Sequence, residues 1–110
     1  MSTAAASPGF MCRLKDREEV AEGTMAFRFE KPSEWTFKAG QYLDMTLLDP
    51  SETDSEGNVR SFSIASGPHE DTLMVATRMR DTAFKRVLSI ENEMPLGTAV
   101  IIRSTGRPGI

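Results

Sequence analysis

Arg60-Ser61-Phe62-Ser63-Ile64-Ala65-Ser66 reads as a short β-strand with its chemistry at the start, closed by Gly67-Pro68. Side chains alternate along a strand, so Phe62 and Ile64 project to one face while Ser61, Ser63 and Ala65 project to the other. A guanidinium at the strand's start can grip a pyrophosphate through paired hydrogen bonds, and an aromatic ring two residues later can lie against an isoalloxazine. Taken alone, such residues more often describe an exposed charge beside a core aromatic, so the rest of the chain must decide.

Outward from this strand, Met25, Phe27 and Phe29 alternate with Ala26, Arg28 and Glu30 after a Glu22-Gly23 turn, which predicts a strand. The preceding Cys12 to Glu22 is charged and only partly alternating. Pro32 to Phe37 reads as a loop with Trp35 and Phe37 as core anchors, ended by Ala39-Gly40. Leu43, Met45 and Leu47 alternate with Tyr42, Asp44 and Thr46 in a further strand. Asp49-Pro50 then opens a polar loop through Asn58, read as a solvated hairpin connection because its acidic residues lack calcium-loop spacing. His69-Glu70-Asp71 makes a hairpin tip leading into Leu73, Val75, Thr77 and Met79. From Asp81 the period changes: Phe84, Val87 and Leu88 share one face of a short helix, with Asp81 or Thr82 as N-cap. Pro95-Leu96-Gly97 turns the chain into a last strand around Val100 and Ile102. The expected fold is all-β: a six-stranded antiparallel Greek-key barrel with one short capping helix. Residues 1–10 are expected to be a flexible N-terminal tail, 11–105 the barrel domain and 106–110 a C-terminal extension.

The chain's 110 residues suffice for one core, and 39% hydrophobic with 26% charged residues is an ordinary globular balance. Sixteen acidic against 13 basic residues give a net charge of −3, which offers no broad attraction to nucleic acid or acidic lipid. Cys12 and His69 are single, so no intrachain disulfide forms and no cysteine or histidine metal cluster is expected. The first nine residues lack the basic start and apolar run of a secretory signal, and no window reaches the ~18 apolar residues of a membrane span. A cytoplasmic protein with no metal, no membrane and no nucleic-acid partner is expected.

An anion has a place here, because the first backbone N–H groups of a helix lack partners and its dipole favours negative charge. Arg60 at a strand end and the helix start at Thr82 make a two-part phosphate site without a glycine-rich loop. Asp81 would repel a phosphate, which favours Thr82 as the residue nearest the ligand. In this setting Arg60-Ser61-Phe62-Ser63 resembles the R-x-[YF]-[ST] motif of the FAD-binding domain of the ferredoxin–NADP reductase superfamily. The resemblance runs from about Phe37 to Ile102. It includes Ala39-Gly40-Gln41-Tyr42 upstream, Val75-Ala76-Thr77-Arg78 after the hairpin, and Thr82-Ala83-Phe84 at the helix start, in the family's order and spacing.

The resemblance implies FAD as cofactor, with Arg60 on its pyrophosphate, Phe62 stacked on the isoalloxazine and Ser63 near flavin N5 as the catalytic hydroxyl. Ser61 belongs to the same cofactor-binding motif. Val75, Ala76 and Thr77 correspond to the strand edging the flavin and ribityl chain, and Thr82, Ala83 and Phe84 to the phosphate-holding helix start. Phe62 in place of the commoner Tyr keeps the ring and drops the phenol hydroxyl. After the last strand many relatives carry a G-P-x-G turn into a nicotinamide-binding domain, whereas here Arg103-Ser104-Thr105-Gly106-Arg107-Pro108-Gly109-Ile110 follows. The NAD(P)H-binding domain is therefore expected to be missing or on a separate chain, and the isolated domain is expected not to turn over. The implied function is electron transfer between NAD(P)H and a one-electron acceptor such as a ferredoxin, by a ferredoxin or flavodoxin reductase-like flavoprotein. A non-enzymatic interaction or accessory barrel is the alternative. Arg60 and Thr82 argue against a riboflavin-synthase-like barrel, and the acidic balance against a nucleic-acid-binding one.

Overall fold

A computed structural model describes residues 9–33, 37, 40–55, 57–90 and 92–108, with 104–108 described as backbone. Six strands and one helix follow in the order β1 (Phe10–Ala21), β2 (Thr24–Glu30), β3 (Gln41–Leu47), β4 (Val59–Ser63), β5 (Thr72–Arg78), α1 (Ala83–Ser89) and β6 (Ala99–Pro108). All strand pairs are antiparallel, in the sheet order β4-β3-β6-β1-β2-β5. The six-stranded antiparallel barrel with one short helix is thus the architecture formed.

The irregular pattern of the first segment has a physical cause. β1 serves two neighbours: Phe10–Arg13 pair with β6, and Leu14–Ala21 pair with β2 after a register shift between Leu14 and Asp16. A bulge of this kind bends a strand and breaks its alternation. Cys12 and Leu14 point into the core, whereas beyond Leu14 every β1 residue except the half-buried Arg17 is exposed. Burial raises the Cys12 thiol to about 11, helped by the nearby Glu30 charge, so it stays protonated at neutral pH.

β2, β3 and β5 follow their alternation. Phe27 and Phe29, Leu43, Met45 and Leu47, and Leu73 and Val75 meet in one core with Phe84, Leu88, Val100 and Ile102. Phe37 is buried as its anchoring role requires, while Trp35 and Ala39 lie outside the described residues. Gly40 has φ of 81°, a left-handed conformation costly for other residues, and sets the turn into β3.

β4 is shorter than its sequence suggests because the chain changes partner at Ile64. The Ile64 N–H still donates to Gln41 O on the β3 side at 2.8 Å, but Ile64 bridges Val75 and the Ala65 N–H donates to Met74 O at 2.7 Å. The Met74 N–H in turn donates to the buried Ser66 Oγ at 2.9 Å. These contacts join the sheet's two edges and complete the ring at one point.

Helix α1 closes one end. Thr82 is its N-cap, the Lys85 N–H donating to Thr82 Oγ1 at 3.4 Å, and Ala83, Phe84, Val87 and Leu88 form its buried face. At the other end the Arg17 guanidinium donates to Leu88 O at 3.0 Å and to Met94 O. A cation at a helix C-terminus satisfies carbonyls that have no helical partner and complements the dipole. Arg17→Met should therefore lower stability by about 2 kcal/mol in denaturant unfolding, the scale of losing charge-assisted hydrogen bonds; an unchanged midpoint would show that the contact contributes nothing.

Candidate functional site

The residues singled out by sequence gather at the seam between β4 and β5. From Val59 to Ser63, β4 is paired to β3 on one side, and β5 meets it only at Ile64. The seam is closed at Ile64 and opens toward Arg60, with the start of α1 beside its open end. Unbridged strand edges expose backbone donors and acceptors, so a flat ligand lying there can be held by both strands.

Alternation sorts the candidates onto two faces. Arg60 lies opposite Met45 and Phe62 opposite Leu43, and directly opposed residues share a face, so both point inward beneath α1. Phe62 is only 7% exposed, and its ring meets Phe84 at 5.9 Å between centroids with 48° between planes. The Arg60 guanidinium lies 5.5 Å from the same Phe84 ring, within cation–π range. Ser61 and Ser63 face outward. The Ser61 hydroxyl donates to Asp44, and Ser63 is half-buried opposite Tyr42. On β5, Val75 is in the core, Ala76 is exposed and Thr77 is half-buried. The set is therefore brought to one seam but not to one surface.

The loop before β4 supplies residues that local reading missed. The Asp54 carboxylate accepts the Ala83 N–H at the helix start at 3.0 Å, and its other oxygen lies 3.9 Å from Arg60. Glu52 makes a forked ion pair with Arg86 of α1, at 3.1 Å to Nε and 2.8 Å to Nη2, and Arg86 also binds Asp81. The Ser51 hydroxyl donates to Glu93. What reads as a solvated hairpin connection is exposed, as expected, but is also clasped to the helix by acidic side chains. The only sequence signal was an acidic run set against Arg60 and Arg86, and the partners lie too far apart in the chain for any local pattern.

Elsewhere an open groove of about 420 Å³ is lined by Phe10, Met11, Lys15, Glu30, Lys31, Pro32 and Asp71, none of them a predicted site residue. Among the described residues no group of three or more His, Cys, Asp and Glu side chains converges, and no helix is long and apolar enough to cross a membrane.

Solved structures share this fold. The chain is similar to a ferredoxin–NADP+ reductase from Neisseria gonorrhoeae with bound FAD and NADP, with a TM-score of 0.65 and 16% identity over 93% of this chain and 39% of that one. The chain has the fold of the matched part of that reductase. The siderophore-interacting protein SipS from Aeromonas hydrophila matches over 94% of this chain and 44% of its own, with a TM-score of 0.65 and 17% identity. The Amycolatopsis cytochrome P450 reductase GcoB matches over 97% and 31%, with a TM-score of 0.64 and 18% identity. The chain thus spans less than half the length of these proteins. No family model and no curated protein matches it.

The clasp is electrostatic, and its pH dependence has a definite sign. Hydrogen bonds from Arg86 hold the Glu52 carboxyl below the usual carboxylate range, against a smaller opposing effect of desolvation. A lowered folded value means that the contribution is fully present above the unfolded value of ~4.3 and is lost as pH falls through the lower one. Carbon NMR titration of Glu52 should show a midpoint below that of a free glutamate, returning to it in Arg86→Gln. Identical midpoints in the two proteins would remove the ion pair from solution.

Proposed function

We propose that this chain holds FAD at the β4–β5 seam and serves as the flavin domain of a reductase that passes electrons between NAD(P)H and a one-electron acceptor. The observation that carries the reading is Arg60, placed at the open end of a seam in the fold shared with a reductase that binds FAD and NADP. A phosphorylated flavin suits this donor set: a guanidinium for phosphate, a helix start beside it, and two strand edges for a flat ring system. Bound FAD supplies the chemistry, accepting a hydride and releasing electrons singly, while the protein supplies placement and electrostatics.

Each residue then has a task. Arg60 neutralises the pyrophosphate. Phe62 and Phe84 form the aromatic floor of the seam, Phe62 lying nearest the isoalloxazine, so that its ring is shared between core and cofactor. Ser63, half-buried on the outer face, offers its hydroxyl near flavin N5. Val75, Ala76 and Thr77 contribute backbone to the flavin and ribityl chain, and Thr82 and Ala83 shape the phosphate end together with Phe84. Hydride donation is assigned to a nicotinamide-binding domain; the ferredoxin reductase this chain matches over 39% of its length holds FAD and NADP. The acceptor is a ferredoxin or similar redox protein, and the working compartment is the cytoplasm.

The burial of Phe62 against Phe84 and the carboxylate of Asp54 beside Arg60 support a second reading, an accessory barrel that keeps the fold without tight flavin binding. The two separate on Arg60. As a flavin domain, the protein should lose on the order of 2 kcal/mol of FAD affinity in Arg60→Ala, roughly thirtyfold in Kd by fluorescence titration. Equal affinity in variant and wild type would remove Arg60 from the site and favour the accessory barrel.

A further inference from the structure

Loops that merely connect strands have no reason to direct side chains onto another element, yet residues 51–54 do so repeatedly. Ser51 donates to Glu93, Glu52 forks onto Arg86, and Asp54 accepts the Ala83 N–H at 3.0 Å while its second oxygen stands 3.9 Å from Arg60. Asp54 thereby presents two oxygens to a backbone N–H and a guanidinium, the same donors a phosphate oxygen would use at this end of the seam.

Resting on the flavin reading above, we infer that Asp54 is a built-in competitor for Arg60: the 51–54 strap covers the phosphate end of the seam, and a phosphorylated flavin must displace the Asp54 carboxylate to bind. Charge and geometry both require this. A phosphate and a carboxylate cannot share the Arg60 guanidinium at contact distance without mutual repulsion, and Asp81, which also sits on Arg86, adds further negative charge nearby. The strap is suited to displacement, because its side chains are exposed and exposed ion pairs are individually weak. Glu52 and Ser51 hold the strap to Arg86 and Glu93, residues that carry no assigned cofactor contact, so the Asp54 carboxylate alone must leave Arg60 and the Ala83 N–H for the ligand to bind. The consequence is selectivity. Affinity for flavins bearing phosphate is reduced by the closed fraction, whereas riboflavin, which has no phosphate to place at Arg60, is insensitive to the charge at position 54.

The test is a fluorescence titration of the full chain with FAD and with riboflavin, in wild type, Asp54→Asn, Asp54→Ala and Arg60→Ala, after circular dichroism has shown which variants fold. Asp54→Asn keeps an acceptor for the Ala83 N–H and removes the charge, so it carries the test even if Asp54→Ala fails to fold. A strap closed about nine-tenths of the time predicts FAD binding about tenfold tighter in Asp54→Asn, with riboflavin affinity unmoved. FAD affinity unchanged or weaker in Asp54→Asn, with Arg60→Ala still impaired, would overturn the competitor and leave the flavin reading standing. Equal tightening toward FAD and riboflavin would overturn competition for charge in favour of simple steric cover. Binding of neither flavin by any of the proteins would overturn both the strap and the flavin reading.

Discussion

The partner switch at Ile64 and Ala65 is the constraint on which the molecule is built. One bridge to Val75 and one hydrogen bond to Met74 O join the two edges of a six-strand sheet, turning it into a ring around a single core. Because the edges meet at that point only, the ring keeps a seam that opens toward Arg60. Extended pairing of β4 with β5 would satisfy more backbone groups and remove the opening. The candidate site is thus a consequence of incomplete closure, placed where the chain has an arginine, an aromatic pair and the start of helix α1.

Two classes of interaction hold the structure, and they differ in strength. Phe27, Phe29, Leu43, Met45 and Leu73 are fully buried, and side chains of this kind contribute roughly 1.5–3 kcal/mol each by burial. The strap over α1 depends on exposed carboxylates, whose pairs contribute far less. Core and seam are therefore rigid relative to the strap, and motion at the site is expected in residues 51–54 before anywhere in the barrel. Arg86 is central to this balance: its guanidinium is held charged by Glu52 and Asp81, hydrogen bonding to each raising its pKa. Arg60, on β4, faces Phe84 and Asp54 instead.

Much of the barrel was legible in the sequence because half-buried strands must alternate. Phe27 and Phe29, Leu43 and Met45, and Leu73 and Val75 declare their strands through a period of two, and Phe84, Val87 and Leu88 declare the helix through its own period. The first strand was blurred because it serves β6 and β2 in turn through a bulge, so no single face is maintained. Alternation also placed Phe62 and Ile64 on one side of Ser61 and Ser63, as observed. It could not show that the Phe62 ring is spent on Phe84, nor that Asp54 reaches Ala83 across 29 residues and Glu52 reaches Arg86 across 34. Contacts of that separation leave no local periodicity, and polar partners leave none at all. Motif spacing proposed the members of the candidate site, whereas the carboxylate beside Arg60 emerged only from the folded chain.

The most direct test of the account is the visible absorption spectrum of the purified protein after incubation with excess FAD and removal of unbound cofactor on a desalting column. The account predicts that a flavin spectrum travels with the protein, with band positions altered from those of free FAD by the aromatic floor of the seam. A folded but colourless protein, its circular dichroism intact, would contradict it and leave the barrel as an accessory module.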